Sequence, residues 1–346
     1  MSVELERPLR YGLIRVHGKH PTKVLDSSSK HHHRRKLNRQ KSITMAPLPK
    51  HLTGDKAAID EFINQFDVFL FDCDGKKTIF VTNNSTKSRA DYLKKLTSMG
   101  IPSNVDEIFA SAYSSAIYIS RIMKLPAPKN KVFVIGEAGI ETELRSEGVE
   151  FLGGTDPALR RDITPEDYTN IANGSMLDEN VGIVLAGLDF HINYLKLSLG
   201  YQYLARGAKF LATNLDSTLP SAKTFFPGAG SISVPLINMT GQQPIALGKP
   251  SQAMMDSIEG KFHFDRKKAC MVGDRLDTDI QFGLEGKLGG TLAVLTGVSR
   301  KEQWEVEDAP VVPHYYVDKL SDLSGHNHHR WLAGGIHTFK AHHGRR

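Results

Sequence analysis

Residues 66–75 read FDVFLFDCDG, an apolar run that stops abruptly at two aspartates, Asp72 and Asp74, one residue apart. Such a run suits a strand covered on both faces, the kind found in parallel sheets. Two carboxylates about 4 Å apart repel by roughly 1 kcal/mol in water and about 4 kcal/mol at an effective dielectric of 20. A strand that delivers both at its carboxyl end therefore calls for a divalent cation or a reacting group. A DxDG at the start of a loop also serves to cap the next element, and the stretch alone leaves both readings open.

Three further segments run an apolar strand, or the start of a helix, into polar chemistry. Thr78–Asn84, TIFVTNN, ends a β-branched run in the hydroxyl of Thr82 and the amides of Asn83 and Asn84, neutral groups suited to phosphate oxygens and equally to a turn or helix cap. Ser85–Arg89 then opens a helix. Gly248-Lys249-Pro250 sets a lysine before a proline that disfavours αR at Lys249 and fits N1 of a helix continuing through Met254 and Ile258. Ala269–Asp279, ACMVGDRLDTD, carries Asp274, Asp277 and Asp279 after a strand. In open α/β sheets ligands gather beyond the carboxyl ends of the strands, so these four segments would share one crevice.

The stretches FDCDG, IFVTNNSTKSR, LATNLDST, FPGAG, GKP and MVGDRLDTDI, followed by KLGGTLAVLTGV and YVDKLSDL, resemble the haloacid dehalogenase superfamily of phosphatases, within it the 4-nitrophenylphosphatase and phosphoglycolate phosphatase group with a large α/β cap. The resemblance covers roughly residues 50–323. It implies an α/β fold: a Rossmann-like parallel-sheet core with an inserted α/β cap domain. It also implies that Asp72 attacks phosphorus to form an aspartyl-phosphate and that Asp74 is acid for the leaving oxygen, then base for water. Mg²⁺ is the implied ion, held by the Asp72 carboxylate, the Asp74 main-chain carbonyl and Asp274, with Asp279 in support. Thr82, Asn83 and Asn84 would bind the substrate phosphoryl group, and Lys249 would balance its charge. The substrate class is a small phosphorylated metabolite, such as 4-nitrophenyl phosphate or a phosphoglycolate-like monoester, and the resemblance implies a homodimer formed through the cap.

More than 150 residues separate TNN from GKP, far more than one crossover needs, so a second domain is inserted there. Val132–Gly136, Val181–Ala186 and Phe210–Thr213 read as buried strands alternating with helical stretches such as Ile192–Ala205. The expected order is a basic tail at 1–50, core at 51–112, cap at 113–240, core again at 241–323 and a His-rich basic tail at 324–346. Asn214 and Asp216, in ATNLDST, read equally as an Asx-turn or as binding residues.

One departure from the family pattern matters. The family places some two dozen residues, a flap and the first core helix, between DCDG and the KKTIFVTNN strand, whereas here Gly75 runs directly into Lys76-Lys77-Thr78. Parallel neighbours need a crossover of a dozen or more residues, yet only residues 72–77 separate Phe71 from Thr78. Fully stretched, that connection reaches about 20 Å, while the return along a five-residue strand takes about 17 Å. An antiparallel hairpin would close easily but would put Thr82 and Asp72 at opposite ends of the sheet. The expectation is a compromised site, and the alternative function is that of a catalytically inactive shortened isoform or mis-joined gene model acting, if at all, as a binding protein.

Composition limits the remaining classes. Residues 1–50 hold 12 Lys and Arg against 3 Asp and Glu, and residues 324–346 hold 4 against none; with a whole-chain charge of +6, the stretch between is acidic, near −7. The basic balance therefore belongs to the tails. The acidic body carries no nucleic-acid motif, which argues against a specific nucleic-acid partner. HHHRRKLNRQK, at 31–41, reads as a solvated disordered tail in preference to a localisation, organellar-targeting or polyanion-binding segment, or as upstream sequence read through to a start at Met45. No apolar run approaches the roughly 18–20 residues of a membrane span, and Glu4 and Glu6 without an apolar h-region argue against a secretory signal. Cys73 and Cys270 give no disulfide framework and suit a reducing compartment, so the expected location is cytoplasmic. The gene-model reading predicts additional in-frame codons between Gly75 and Lys76 in the transcript; an uninterrupted short message as the only species contradicts it.

Overall fold

The computed structural model describes residues 48–71, 77–221 and 224–323. The expectations placed on Asp72, Cys73, Asp74 and Gly75, and on nearly all of both tails, lie outside the described residues. The strands are β1 (Lys50–His51), β2 (Val68–Phe71), β3 (Lys77–Thr82), β4 (Ile108–Ala110), β5 (Lys131–Ile135), β6 (Phe151–Gly153), β7 (Val181–Ala186), β8 (Lys209–Ala212), β9 (Thr218–Ser221), β10 (Thr224–Pro227), β11 (Ile245–Ala246), β12 (Ala269–Gly273), β13 (Gly290–Val294) and β14 (Tyr315–Val317). The α-helices are α1 (Lys56–Gln65), α2 (Arg89–Ser98), α3 (Ser111–Ile117), α4 (Ala138–Ser146), α5 (Pro165–Ala172), α6 (Tyr194–Ala205), α7 (Ala229–Thr240), α8 (Gln252–Phe262) and α9 (Gln281–Glu285).

Two parallel sheets result, the α/β architecture expected from the sequence. The first has seven strands in the order β1-β14-β13-β12-β2-β3-β4, and the second has five in the order β11-β8-β7-β5-β6. An antiparallel hairpin, β9 with β10, stands apart from both. Among the described residues no helix is long and apolar enough to cross a membrane.

The apolar run of β2 is explained by cover on both faces. Val68 and Leu70 pack with Ile79, Val81, Met254 and Ile258, while Phe69 and Phe71 point the other way into Phe62, Phe66, Cys270 and Leu292. Burial there pushes the Cys270 thiol pKa up, which makes it an inert core residue. In the second sheet Phe133 and Ile135 face α6 through Leu195, Leu199 and Tyr203, and Val132 and Val134 face α3 and α4.

Two expectations are corrected. First, β2 and β3 are parallel neighbours, with Phe71 beside Phe80, so the hairpin alternative does not form and both strands end at the same edge of the sheet. Residues 72–76, which join them, lie outside the described residues. Second, Pro250 is not at N1: Ser251 is the N-cap of α8 and its side chain accepts from the Ala253 N–H, so the proline sits one residue before the cap. Helix α3 runs through Ser111–Ile117, across the position expected to begin the inserted domain, and β11 pairs with β8. Helix α3 cannot be divided because it serves both sheets, Ala112 and Ala116 packing under the second and Tyr113 and Ile117 under the first.

Candidate active site

The strand order sets the site. β12, β2 and β3 lie side by side and run the same way, so their carboxyl ends share one edge. Phe71 is bonded to Asp72, Thr82 ends β3, and Gly273 ends β12 just before Asp274. The edge therefore collects the polar segments that the sequence singled out.

Lys249 is the centre of this edge. Its side chain is almost wholly buried, and Nζ donates to Asp279 Oδ1 at 2.7 Å and to the Val81 carbonyl at 2.9 Å. Asp279 turns its second oxygen to the main-chain N–H groups of Asp274 and Arg275, each at 3.1 Å. A methyl at Gly273 would lie 2.3 Å from the Asp279 side chain, so only glycine allows this turn to close. Asp279 thus supports the Asp274 loop by way of its main chain.

Asn83 is the second centre. Its Oδ1 accepts from the Lys249 N–H at 2.7 Å, and its Nδ2 donates to the Lys249 carbonyl at 3.0 Å and to Asp216 Oδ1 and Oδ2 at 3.1 and 3.2 Å. Its own carbonyl accepts from Ser111 Oγ at 2.6 Å and from Asn214 Nδ2 at 2.7 Å. Gly248 permits this close approach, since a methyl there would lie 2.7 Å from Asn83 Oδ1 and 2.6 Å from the Thr213 carbonyl. The Asn83 amide is committed to protein partners, so it is not free to grip a phosphoryl oxygen as the sequence reading had it. Thr82 Oγ1 accepts from the Asn84 N–H at 3.2 Å, and Asn84 Oδ1 accepts from the N–H and hydroxyl of Thr86, each at 2.8 Å.

The residues around this centre that sequence reasoning missed or left open are mostly distant in the chain. Ser111 carried no motif. Asn214 and Asp216, left between an Asx-turn and a binding role, form the turn: Asn214 Oδ1 accepts from the Asp216 N–H at 3.1 Å, while Asn214 Nδ2 donates to the Asn83 carbonyl. Burial raises the Asp216 carboxyl pKa, opposed by the Asn83 hydrogen bond and by the nearby Arg275 and Lys249 charges. Arg275 bonds Asp277 at 3.3 Å, which helps raise its pKa against the cost of burial.

For a hard divalent cation the described residues offer Asp274. Its Oδ2 accepts from the Val298 N–H at 2.8 Å, which anchors the carboxylate. An oxygen donor held this way fits Mg²⁺. Asp72 and Asp74, the other expected ligands, lie outside the described residues. A separate group, Glu137, Asp189 and His191, brings its ligand atoms within 4.8 Å of one another at the end of the second sheet. Its carboxylates already pair with Arg160 and with the buried Lys196, so a cation there would compete with fixed charges.

The comparisons with known proteins decide the family. Residues 59–150 match the model described as haloacid dehalogenase-like hydrolase, and residues 246–323 match a HAD-hydrolase-like model. A 4-nitrophenylphosphatase of Schizosaccharomyces pombe is 51% identical over 288 residues, covering 76% of this chain and 95% of that protein. The chain belongs to the haloacid dehalogenase-like hydrolases. Phosphoglycolate phosphatase 1A of Arabidopsis thaliana, a chloroplastic protein, is 38% identical across 76% of this chain and 78% of its own length. Among solved structures, the p-nitrophenyl phosphatase of Archaeoglobus fulgidus superposes with a TM-score of 0.60 at 28% identity, covering 75% of this chain and 98% of that one. As a member of this family, the chain is a phosphatase-type hydrolase with the Rossmann-like core.

Two outcomes follow from the geometry. Lys249→Met strands the buried Asp279 charge and should cost about 3–5 kcal/mol in urea unfolding at neutral pH. For Asp216, the folded carboxyl has its pKa above the 3.8 of the free side chain. The folded state then holds the extra proton, so this group's contribution to stability declines as pH rises from about 4 toward the folded pKa. Asp216→Asn lacks that proton, and its stability relative to wild type should grow over the same window in a pH series of urea melts.

Proposed function

We propose that the chain hydrolyses small phosphate monoesters by a Mg²⁺-dependent route through an aspartyl-phosphate on Asp72. One observation carries the reading: Lys249, Asp274 and the Thr82–Asn84 loop gather at the sheet edge where Phe71 ends β2, and the next residue in the chain is Asp72.

In this reading an Asp72 oxygen attacks phosphorus as the ester oxygen leaves, and Asp74 gives that oxygen a proton. Asp74 then takes a proton from water as the water attacks the acyl phosphate, which frees phosphate and restores Asp72. Thr82 and Asn84, with the main chain of Asn83 in place of its committed amide, are the groups for the phosphoryl oxygens. The Lys249 ammonium, close behind them, offsets the charge that builds there. Asp72, Asp74 and Asp274 would hold Mg²⁺, which supplies charge neutralisation on phosphate oxygens when bound.

The substrate class rests on the relatives' names, which include glycerol-3-phosphate phosphatase of Homo sapiens at 33% identity beside the 4-nitrophenyl and phosphoglycolate enzymes. The second-sheet unit would then be the cap, with a homodimer formed through it. The exposed Phe225, Phe226 and Val234 on that unit support such a contact. A second reading, an inactive binding protein, has one motive, that residues 72–76 alone join the parallel β2 and β3, and the phosphatase relatives do not favour it.

Phosphate release from 4-nitrophenyl phosphate, with and without Mg²⁺ and beside an Asp72→Asn control, separates the two. The hydrolytic reading expects metal-dependent turnover that falls by at least about 10³-fold in the control. Turnover no greater than the control would mean that the short connection has disabled the site.

A further inference from the structure

The Asn83 amide is held from two directions, and one of them comes from the other sheet. Asp216 follows β8, the strand beside β11 at the edge of the second sheet, yet both its oxygens face Asn83 Nδ2 at 3.1 and 3.2 Å. The carboxylate is itself fixed in place. Its N–H is tied to Asn214 Oδ1, its carbonyl accepts from the Gly230 N–H at 2.9 Å, and the buried Asn214 is bonded to the Asn83 carbonyl. Lys249 Nζ, for its part, donates to Asp279 and Val81. What Asn83 does with the rest of its amide is bind both main-chain groups of Lys249.

We infer that Asp216 is a positioning residue: acting through the Asn83 amide, it fixes the spacing between the Asn83 loop and Lys249 and so sets the cradle for the phosphoryl group. The inference rests on the phosphatase reading given above. A carboxylate suits the task because hydrogen bonds to an ionised acceptor are roughly twice as strong as neutral ones. A misplacement of about 1 Å at a reacting group can cost about 100-fold in rate, so the loss of this orienting contact should register in catalysis.

The test is a double-mutant cycle of Asp216→Ala and Asn83→Ala, with Asp216→Asn as the conservative variant and circular dichroism melts to confirm folding. It is read on 4-nitrophenyl phosphate turnover and on binding of inorganic phosphate by titration calorimetry. Asp216→Ala should lower kcat/KM by about 10- to 100-fold, and Asp216→Asn, whose amide oxygen accepts the same bond, should return to within about threefold of wild type. The double variant should be no worse than Asn83→Ala alone. Additive effects, or an Asp216→Asn as impaired as Asp216→Ala, would overturn the role. If the wild type binds phosphate without turnover, the hydrolytic reading fails while the cycle on binding still decides the role of Asp216. Wild type that neither binds nor turns over contradicts both.

Discussion

A buried ammonium must find oxygens, and most of the site's arrangement follows from where Lys249 finds them. Its Nζ spans the Val81 carbonyl on β3 and the Asp279 carboxylate that follows β12, the strands on either side of β2. Taking two charges out of water costs several kcal/mol per ion, and only close pairing offsets that cost. Neither the Lys249 nor the Asp279 segment can therefore shift alone without leaving a charge unpaired, and a shift of β3 would take an acceptor from the ammonium. Asp279 passes the constraint on, because its other oxygen gathers the N–H groups that open the Asp274 loop.

The second constraint is that the site is not made by one sheet. Asn83 ends the β3 segment, yet its carbonyl and amide are occupied by Asn214 and Asp216 from beyond β8, by Ser111 from α3 and by Lys249 from the loop after β11. Helix α3 itself contributes apolar residues beneath both sheets. Segments separated by 133 and 166 residues thus converge on one side-chain amide. The segment that follows β8 is thereby bonded directly to the Asn83 loop, which gives its sequence a hold on the geometry of that loop.

Much of this was legible in the chain. The uninterrupted apolar runs of β2, β5, β7 and β12 announced strands buried on two faces, and those of β2 and β12 run on in the sequence into polar residues at the edge where the site forms. Ser88 and Asp91 form the capping box that starts α2 where the turn residues end. What was not legible was partnership. TNN reads as three phosphate-binding groups until the fold spends the Asn83 amide on Asp216 and Lys249, and nothing local in a sequence reports a contact 133 residues away. Pro250 read as a helical first residue because proline fits there, but Ser251 supplies the better acceptor and wins the cap. The relation of β2 to β3 was open for another reason: connection length argued for a hairpin, whereas the parallel register satisfies the burial of both strands on both faces.

The central claim is that Asp72 belongs to the site that Lys249 organises. Rapid acid quench of the enzyme during turnover of 4-nitrophenyl phosphate, followed by peptide mapping by mass spectrometry, tests it directly. The account predicts a phosphoryl group on the peptide that carries Asp72, absent in Asp72→Asn. Turnover that proceeds with no such peptide, or with the phosphoryl group on another residue, would contradict it.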